Sequence, residues 1–573
     1  MKIHILILVF IFSFTNFFSQ EMFITNNFST NQDVPELLTK PNIGCYVKGN
    51  IAEIRSNCER HNAIYFKEVN NWHYVRISPS EMNDFINDET VRQFHIPTQR
   101  GEVMNDTMRV NNKINSIHSG TSPLSNSYTG SGVIVGFIDA GLDFNHEDFK
   151  NPDGTTRIIK LWDQTLGIAA NTPLPYNYGQ EWDSSGIDGG LASAHNDVYG
   201  HGTTVAGAAV GNGRAVGKYK GIAYNADIVA VEVDLGSNFL TRMQDAVKYI
   251  YDIADAMGKP CVINASVGTK EGSHDAKDPS ALFIDNLIKG KNGRLFVCSA
   301  GNDGGKSYHL KHESNSADTI FTLFKPNPNR SWGQMLAGWG YASCAPACYG
   351  DTNVDFLGYA DTSNFNNVHI SISAYHNDNL VASSDYINIP DYLNGVYPVD
   401  SYGNYFTTIT NSNADIIGTM FMYATIINDN VYEFRFIVNP DSVTNYNWGF
   451  NTTGDGVADI WSDETNYSTS NMIKSSDADF PFSPAPSNYK NPDSLQTLYS
   501  SFQCLESAIT VGNYVNDSGY INNLSNWVST GMTRGELSPG SSIGPTRTGK
   551  MKPDITASGE MTISSFPTYW LSN

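Results

Sequence analysis

An α/β domain on a parallel sheet, interrupted by an antiparallel β-domain and preceded by a small α+β unit, is the fold class this sequence predicts. Three observations carry that expectation. Unbroken apolar runs rich in Val and Ile at 133–138, 228–233, 261–267 and 295–299 alternate with helix-like stretches at 203–210 and 240–257. Such runs mark strands buried on both faces, and their alternation with helices marks a parallel sheet. From about Gly305 to Leu495 the texture shifts to Asn, Asp, Ser, Thr and Tyr, with short alternating segments such as 368–374 and 432–438. That is the pattern of an antiparallel sandwich or jelly roll. The buried-strand style returns at 508–514, so the β-domain reads as an insertion in a surface loop, where long insertions cost little.

The elements follow in chain order. Met1-Lys2 and the apolar run 3–14 read as a secretory signal over 1–20. An uncleaved anchor is the alternative, because Phe17 is not the small residue a cleavage site prefers. No second stretch is long and apolar enough to span a bilayer, so the expected location is secreted or cell-surface, with no stable membrane insertion after cleavage. Residues 21–105 are polar and mixed, with a strand-like piece at 72–77 and a helix-like piece at 80–86. In 240–257, Met243, Ala246, Val247, Ile250, Ile253 and Ala254 recur at helical spacing.

Composition narrows the function classes. The 573 residues are 40% hydrophobic and 16% charged, which suits two to four globular units with sizeable cores. The net charge of −22 argues against nucleic acid as a partner. Seven cysteines are present. Export permits disulfides, Cys344 and Cys348 are the closest pair, and the odd count leaves a thiol unpaired. No spacing of Cys and His points to zinc.

Three motifs carry chemistry. Phe137-Ile138-Asp139-Ala140-Gly141-Leu142-Asp143 places an acid at the end of a buried strand, where α/β proteins build sites. Gly200-His201-Gly202-Thr203-Thr204-Val205-Ala206-Gly207 sets a histidine between glycines at the start of a side-chain-poor helix. Ser299-Ala300-Gly301-Asn302-Asp303-Gly304 follows another buried strand, and there Asn302 is either a plain turn residue or an amide aimed at a developing oxyanion.

In this order the three motifs resemble the subtilisin-like serine peptidases, whose triad runs Asp, His, Ser along the chain. The resemblance implies Asp139 and His201 as triad members and Asn302 as the oxyanion donor. It also implies Ser266, Val267 and Gly268 as the backbone that lines an extended peptide substrate. Gly544-Pro545-Thr546 and Lys550 to Ile555 resemble the segment that leads to the nucleophile. None of the serines near the end, Ser558, Ser564, Ser565 and Ser572, stands in a Gly-Thr-Ser context. The nucleophile is therefore expected beyond Asn573, and this chain by itself is expected to be inactive.

The implied division is a signal at 1–20, an inhibitory prodomain at 21–107, catalytic sequence at 108–304 and 496–573, and the β-insert at 305–495. Its partners would be protein or peptide substrates and its own prodomain. Asp148 matches a position that often binds structural calcium in relatives, and no organic cofactor is implied. Asp455 and Asp459 are spaced for an oxygen-ligand loop, though a turn is the better reading. A pseudopeptidase that binds peptides or glycans is the competing function.

Overall fold

The computed structural model describes residues 43–95 and 106–570, apart from 70–71, 195–196, 198–199, 237, 327–353, 402, 429, 441–445, 463–469 and 522–525. The signal, the Cys344–Cys348 pair and Ser572 lie outside the described residues. The chain forms two compact units, Met1–Glu102 and Val103–Asn573.

In the first unit, β1 (Ile43–Lys48), α1 (Ile51–Arg60), β2 (Ile64–Val69), β3 (Trp72–Ile77), α2 (Pro79–Ile86) and β4 (Gln93–His95) make an antiparallel sheet in the order β2-β3-β1-β4. β3 alternates between its two faces and buries His73, Val75 and Ile77. Val47, Val75 and Ile77 from the sheet close a core with Ile54 of α1 and Phe85 of α2.

The second unit begins its sheet with β5 (Ile134–Asp139), β6 (Ile158–Asp163) and β7 (Gln180–Asp183). It continues through α3 (His201–Val210), β8 (Asp227–Glu232), α4 (Phe239–Ala256), β9 (Cys261–Ala265), α5 (Pro279–Lys289) and β10 (Arg294–Ser299). There the chain leaves the sheet. β11 (His309–Ser314), β12 (Ile320–Pro326), β13 (Val354–Asp361), β14 (His369–His376), β15 (Asn379–Ser383) and β16 (Ile387–Asn388) open the insert. β17 (Tyr405–Thr410), β18 (Ile416–Ile427), β19 (Val431–Pro440), β20 (Asn447–Thr453), β21 (Gly456–Ser462) and β22 (Ser470–Met472) complete it. The chain then returns as β23 (Ala508–Val515), makes a small hairpin of β24 (Gly519–Ile521) and β25 (Trp527–Ser529), and ends its sheet with β26 (Ile555–Glu560).

The eight-stranded sheet runs β26-β23-β10-β9-β5-β8-β6-β7. It is parallel except for β7, which pairs antiparallel with β6 at the edge. β5 is buried at every position: Ile134 and Ile138 pack with α4, and Val135 and Phe137 pack with Ala206 and Val210 of α3. Helices thus cover both faces, as continuous apolar runs require.

The insert is two antiparallel sheets, β11-β21-β13-β19-β18-β17 and β15-β14-β20-β12-β22, with β16 on β14. Phe356, Phe434 and Phe436 of the first sheet meet Phe324, Ile370 and Phe450 of the second in one core. The insert is fastened to the α/β part at several points. Gly272 N–H donates to Tyr359 Oη at 2.9 Å, His274 stacks on Trp461 at 4.2 Å, and Tyr308 donates to the Thr497 carbonyl at 2.9 Å. Arg547 pairs with both Asp275 and Asp361. All five described cysteines, Cys45, Cys58, Cys261, Cys298 and Cys504, are buried free thiols.

Candidate active site

β5 ends on Asp139, and α3 begins on His201. Gly202 brings the two together: a Cβ there would lie 1.9 Å from the Gly141 carbonyl oxygen, so only glycine lets the helix rest on the Asp139 loop. His201 Nδ1 lies 2.6 Å from Asp139 Oδ1. An ionised carboxylate can only accept, so Nδ1 carries the proton and Nε2 is left as the basic nitrogen. The Asp139 side chain is 4% exposed and that of His201 50%, which places the acid inside and the ring at the surface of a cleft. The hydrogen bond to Asp139 is the main cause that raises the His201 pKa above 6.5; burial opposes it, and the Asp139 and Asp197 charges add to it.

Asp197 is a residue that sequence reasoning missed. It is fully buried, its Oδ2 accepts from Thr203 N–H at 2.7 Å, and its carbonyl accepts from Tyr569 at 2.6 Å. The first turn of α3 lacks a side-chain cap from Gly200, and Asp197 fills that role. Glu232 was missed too. It sits beside Asp139 and Asp163 in the strand register, and burial first, then the Asp163 and Asp197 charges, push its pKa to about 10. A lone Asp in a loop and a Glu closing an apolar run both read as ordinary element ends.

Asn302 follows β10 through Gly301, whose φ is +117° and whose Cβ would strike Tyr499 at 2.4 Å. The turn is pinned by Asp303, fully buried, which pairs with Lys270 at 2.9 Å and Lys306 at 2.7 Å. β9 stops pairing with both neighbours at Ala265, so Ser266, Val267 and Gly268 follow its last laddered residue. Ser500 Oγ then satisfies both the N–H and the carbonyl of Thr269.

Asp139, His201, Ser266, Val267, Gly268 and Asn302 all line one cleft of about 1160 Å³. Part of its lining was not foreseen: Asp355, Leu357, Arg435, Trp461 and Ser462 come from the insert.

Asp148 sits elsewhere, behind α3. Its Oδ1 accepts from Ala215 N–H at 2.8 Å and its Oδ2 from Ser565 Oγ at 2.7 Å. Among the described residues no three His, Cys, Asp or Glu side chains converge as a metal site. Both carboxylate oxygens of Asp148 are thus hydrogen-bonded within the chain. Asp459 is likewise occupied, by His309 and Gln496 at 3.2 Å each, while Asp455 accepts from Ser316 N–H.

A subtilisin of Bacillus sp. (strain TA39) is 26% identical over 194 residues, 33% of this chain and 38% of that protein. Neuroendocrine convertase 2 of Homo sapiens is 26% identical over 207 residues, 34% of this chain and 27% of that protein. The matches therefore span well under half the length of these relatives. Among solved structures, the Clostridium perfringens CspB protease superposes with a TM-score of 0.54 at 20% identity, covering 80% of this chain and 82% of that one, a likeness of fold. The model of the subtilase family, Peptidase S8, matches residues 130–388. It is in this segment, with Asp139 and His201 inside it, that the chain is similar to the subtilase family.

Proposed function

We propose that this protein is a secreted serine endopeptidase in which His201 is the general base, Asp139 its orienting carboxylate and Asn302 the oxyanion donor. The observation that carries the reading is the 2.6 Å His201–Asp139 contact in a cleft shared with Asn302 and the 266–268 backbone. His201 Nε2 takes the proton of an attacking serine and returns it to the leaving amine, while Asp139 holds the tautomer and stabilises the imidazolium. Asn302 donates to the tetrahedral oxyanion. The peptide binds as an added strand along Ser266, Val267 and Gly268. The nucleophile is a serine outside the described residues. Export through 1–20, inhibition by the 21–107 segment and proteins or peptides as substrates belong to the same proposal.

The test is labelling of the full-length protein by a fluorophosphonate, with turnover of a protein substrate. Labelling and turnover are expected, and His201→Ala should abolish the first and cut the second by on the order of 10⁴–10⁶. Peptide binding without labelling would favour the pseudopeptidase instead.

A further inference from the structure

The two faces of the insert's β11-β21-β13-β19-β18-β17 sheet have different fates. Phe356, Phe434, Phe436, Met420 and Met422 point inward to the core of the insert. The alternate residues form rows across the outer face. Trp461 on β21 pairs with Leu357 on β13, Leu357 with Arg435 on β19, and Arg435 with Tyr423 on β18. One pleat along, Asp355 pairs with Ile437, Ile437 with Phe421, and Phe421 with Phe406 on β17.

Both rows start inside the cleft, because Trp461, Leu357, Arg435 and Asp355 are part of its wall. Both end in the open: Tyr423 is 43% exposed and Phe406 46%. Between them stands a two-pronged ion pair, with Arg435 Nε and Nη2 on the two oxygens of Asp355 at 2.9 and 2.5 Å, which holds the guanidinium in the sheet face. Beyond it, the rings of Phe406 and Phe421 lie 5.1 Å apart. A monomer rarely leaves contiguous aromatic surface in water without a use for it. From β21 to β17 the face is four strand spacings wide, about 19 Å, the length of roughly six extended residues.

We propose that this outer face continues the substrate cleft, as an exosite for the flanking segment of an extended polypeptide substrate rich in aromatic and large aliphatic side chains. The inference rests on the reading of the cleft as a peptide site, and continuity through Leu357 and Arg435 is what selects the occupant. Aliphatic Leu357 and Ile437 among the rings suit side chains of a polypeptide better than the hydroxylated faces of a glycan. Tyr423 and Phe406 supply ring area that is already ordered by the sheet, so little side-chain freedom is lost on contact.

Fluorescence anisotropy on the full chain tests this with two dye-labelled peptides. One is a short peptide that fills only the cleft; the other carries the same residues plus a Phe- and Leu-rich extension. The longer peptide should bind more tightly, and Phe406→Ser/Tyr423→Ser should weaken it about tenfold while leaving the short one unchanged. Tyr423→Lys alone, at a solvent-facing position, repeats the test with little risk to folding. Equal affinity of the two peptides, an unchanged long-peptide affinity in both variants, or displacement of the long peptide by a soluble polysaccharide overturns the exosite. If the short peptide fails to bind while the long one binds and responds to the variants, the exosite stands and the cleft reading falls.

Discussion

The catalytic sheet and the insert sheet bury their strands in opposite ways, and this decides where each can carry a site. β5 is buried at all its positions under helices on both faces, so side chains meet solvent only where the strand ends. Asp139, Ser266 to Gly268, and Gly301-Asn302 all sit at such ends. β13 and β19 hide one face and keep the other, and what they offer the cleft is a face: Asp355, Leu357 and Arg435. A strand-end site depends on loops that meet at a point, whereas a face site depends on register between strands.

The sharpest way to break the comparison is to disturb a loop meeting point. Gly202→Val forces side-chain atoms into the Gly141 carbonyl and should separate His201 from Asp139. Turnover should fall nearly as far as in His201→Ala; retention of more than a tenth of the rate would show that the two loops can part without harm. Phe434→Ala, a fully buried ring of the insert, should instead cost about 3–5 kcal/mol of stability in urea. Its rate per folded molecule should change little.

Acid should separate the regions by sign. In the insert, burial depresses His312 from 6.5 to about 3, and at the junction burial depresses His274 to about 4. Their neutral forms are the folded ones, so the stability they bring is whole above pH 6.5 and drains as pH falls toward those values. His201 runs the other way: its raised pKa adds stability that is whole below 6.5 and is lost as pH climbs through the folded value. Urea midpoints of His312→Gln between pH 7 and 4 should show a flatter acid limb, recovering on the order of 2–4 kcal/mol. An unchanged limb would remove His312 from the account. The smallest effect is expected from Tyr359→Phe, which strips the acceptor from Gly272 N–H and should cost about 1–2 kcal/mol. A null result in urea would show that water replaces the hydroxyl.

The same contrast explains what could be read from the letters. The runs at 133–138 and 228–233 are β5 and β8 shifted by one residue, and the helix expected at 240–257 is α4 at Phe239–Ala256. Their periodicity is local, as is the bracket of glycines around His201. β7 escaped notice because a four-residue edge strand has no run to show. Leu357, Arg435 and Trp461 lie far apart in sequence and meet only through pairing registers. Nothing local marks them. Asp148 shows the same limit: the motif marked the residue, but the partners on its oxygens, Ala215 and Ser565, come from distant segments.

Those late partners have a consequence for the order of synthesis. Ser564 bonds Thr204 across 360 residues, Ser565 bonds Asp148 across 417, Thr568 bonds Asp143 across 425, and Tyr569 bonds Asp197 across 372. At five to twenty residues per second, a growing chain spends tens of seconds with Asp139 and His201 already made and their surroundings unfinished. The clamp around α3 closes only when the segment at 564–569 arrives. The setting of His201 is thus complete only after a segment more than 360 residues downstream has joined α3 and its neighbours.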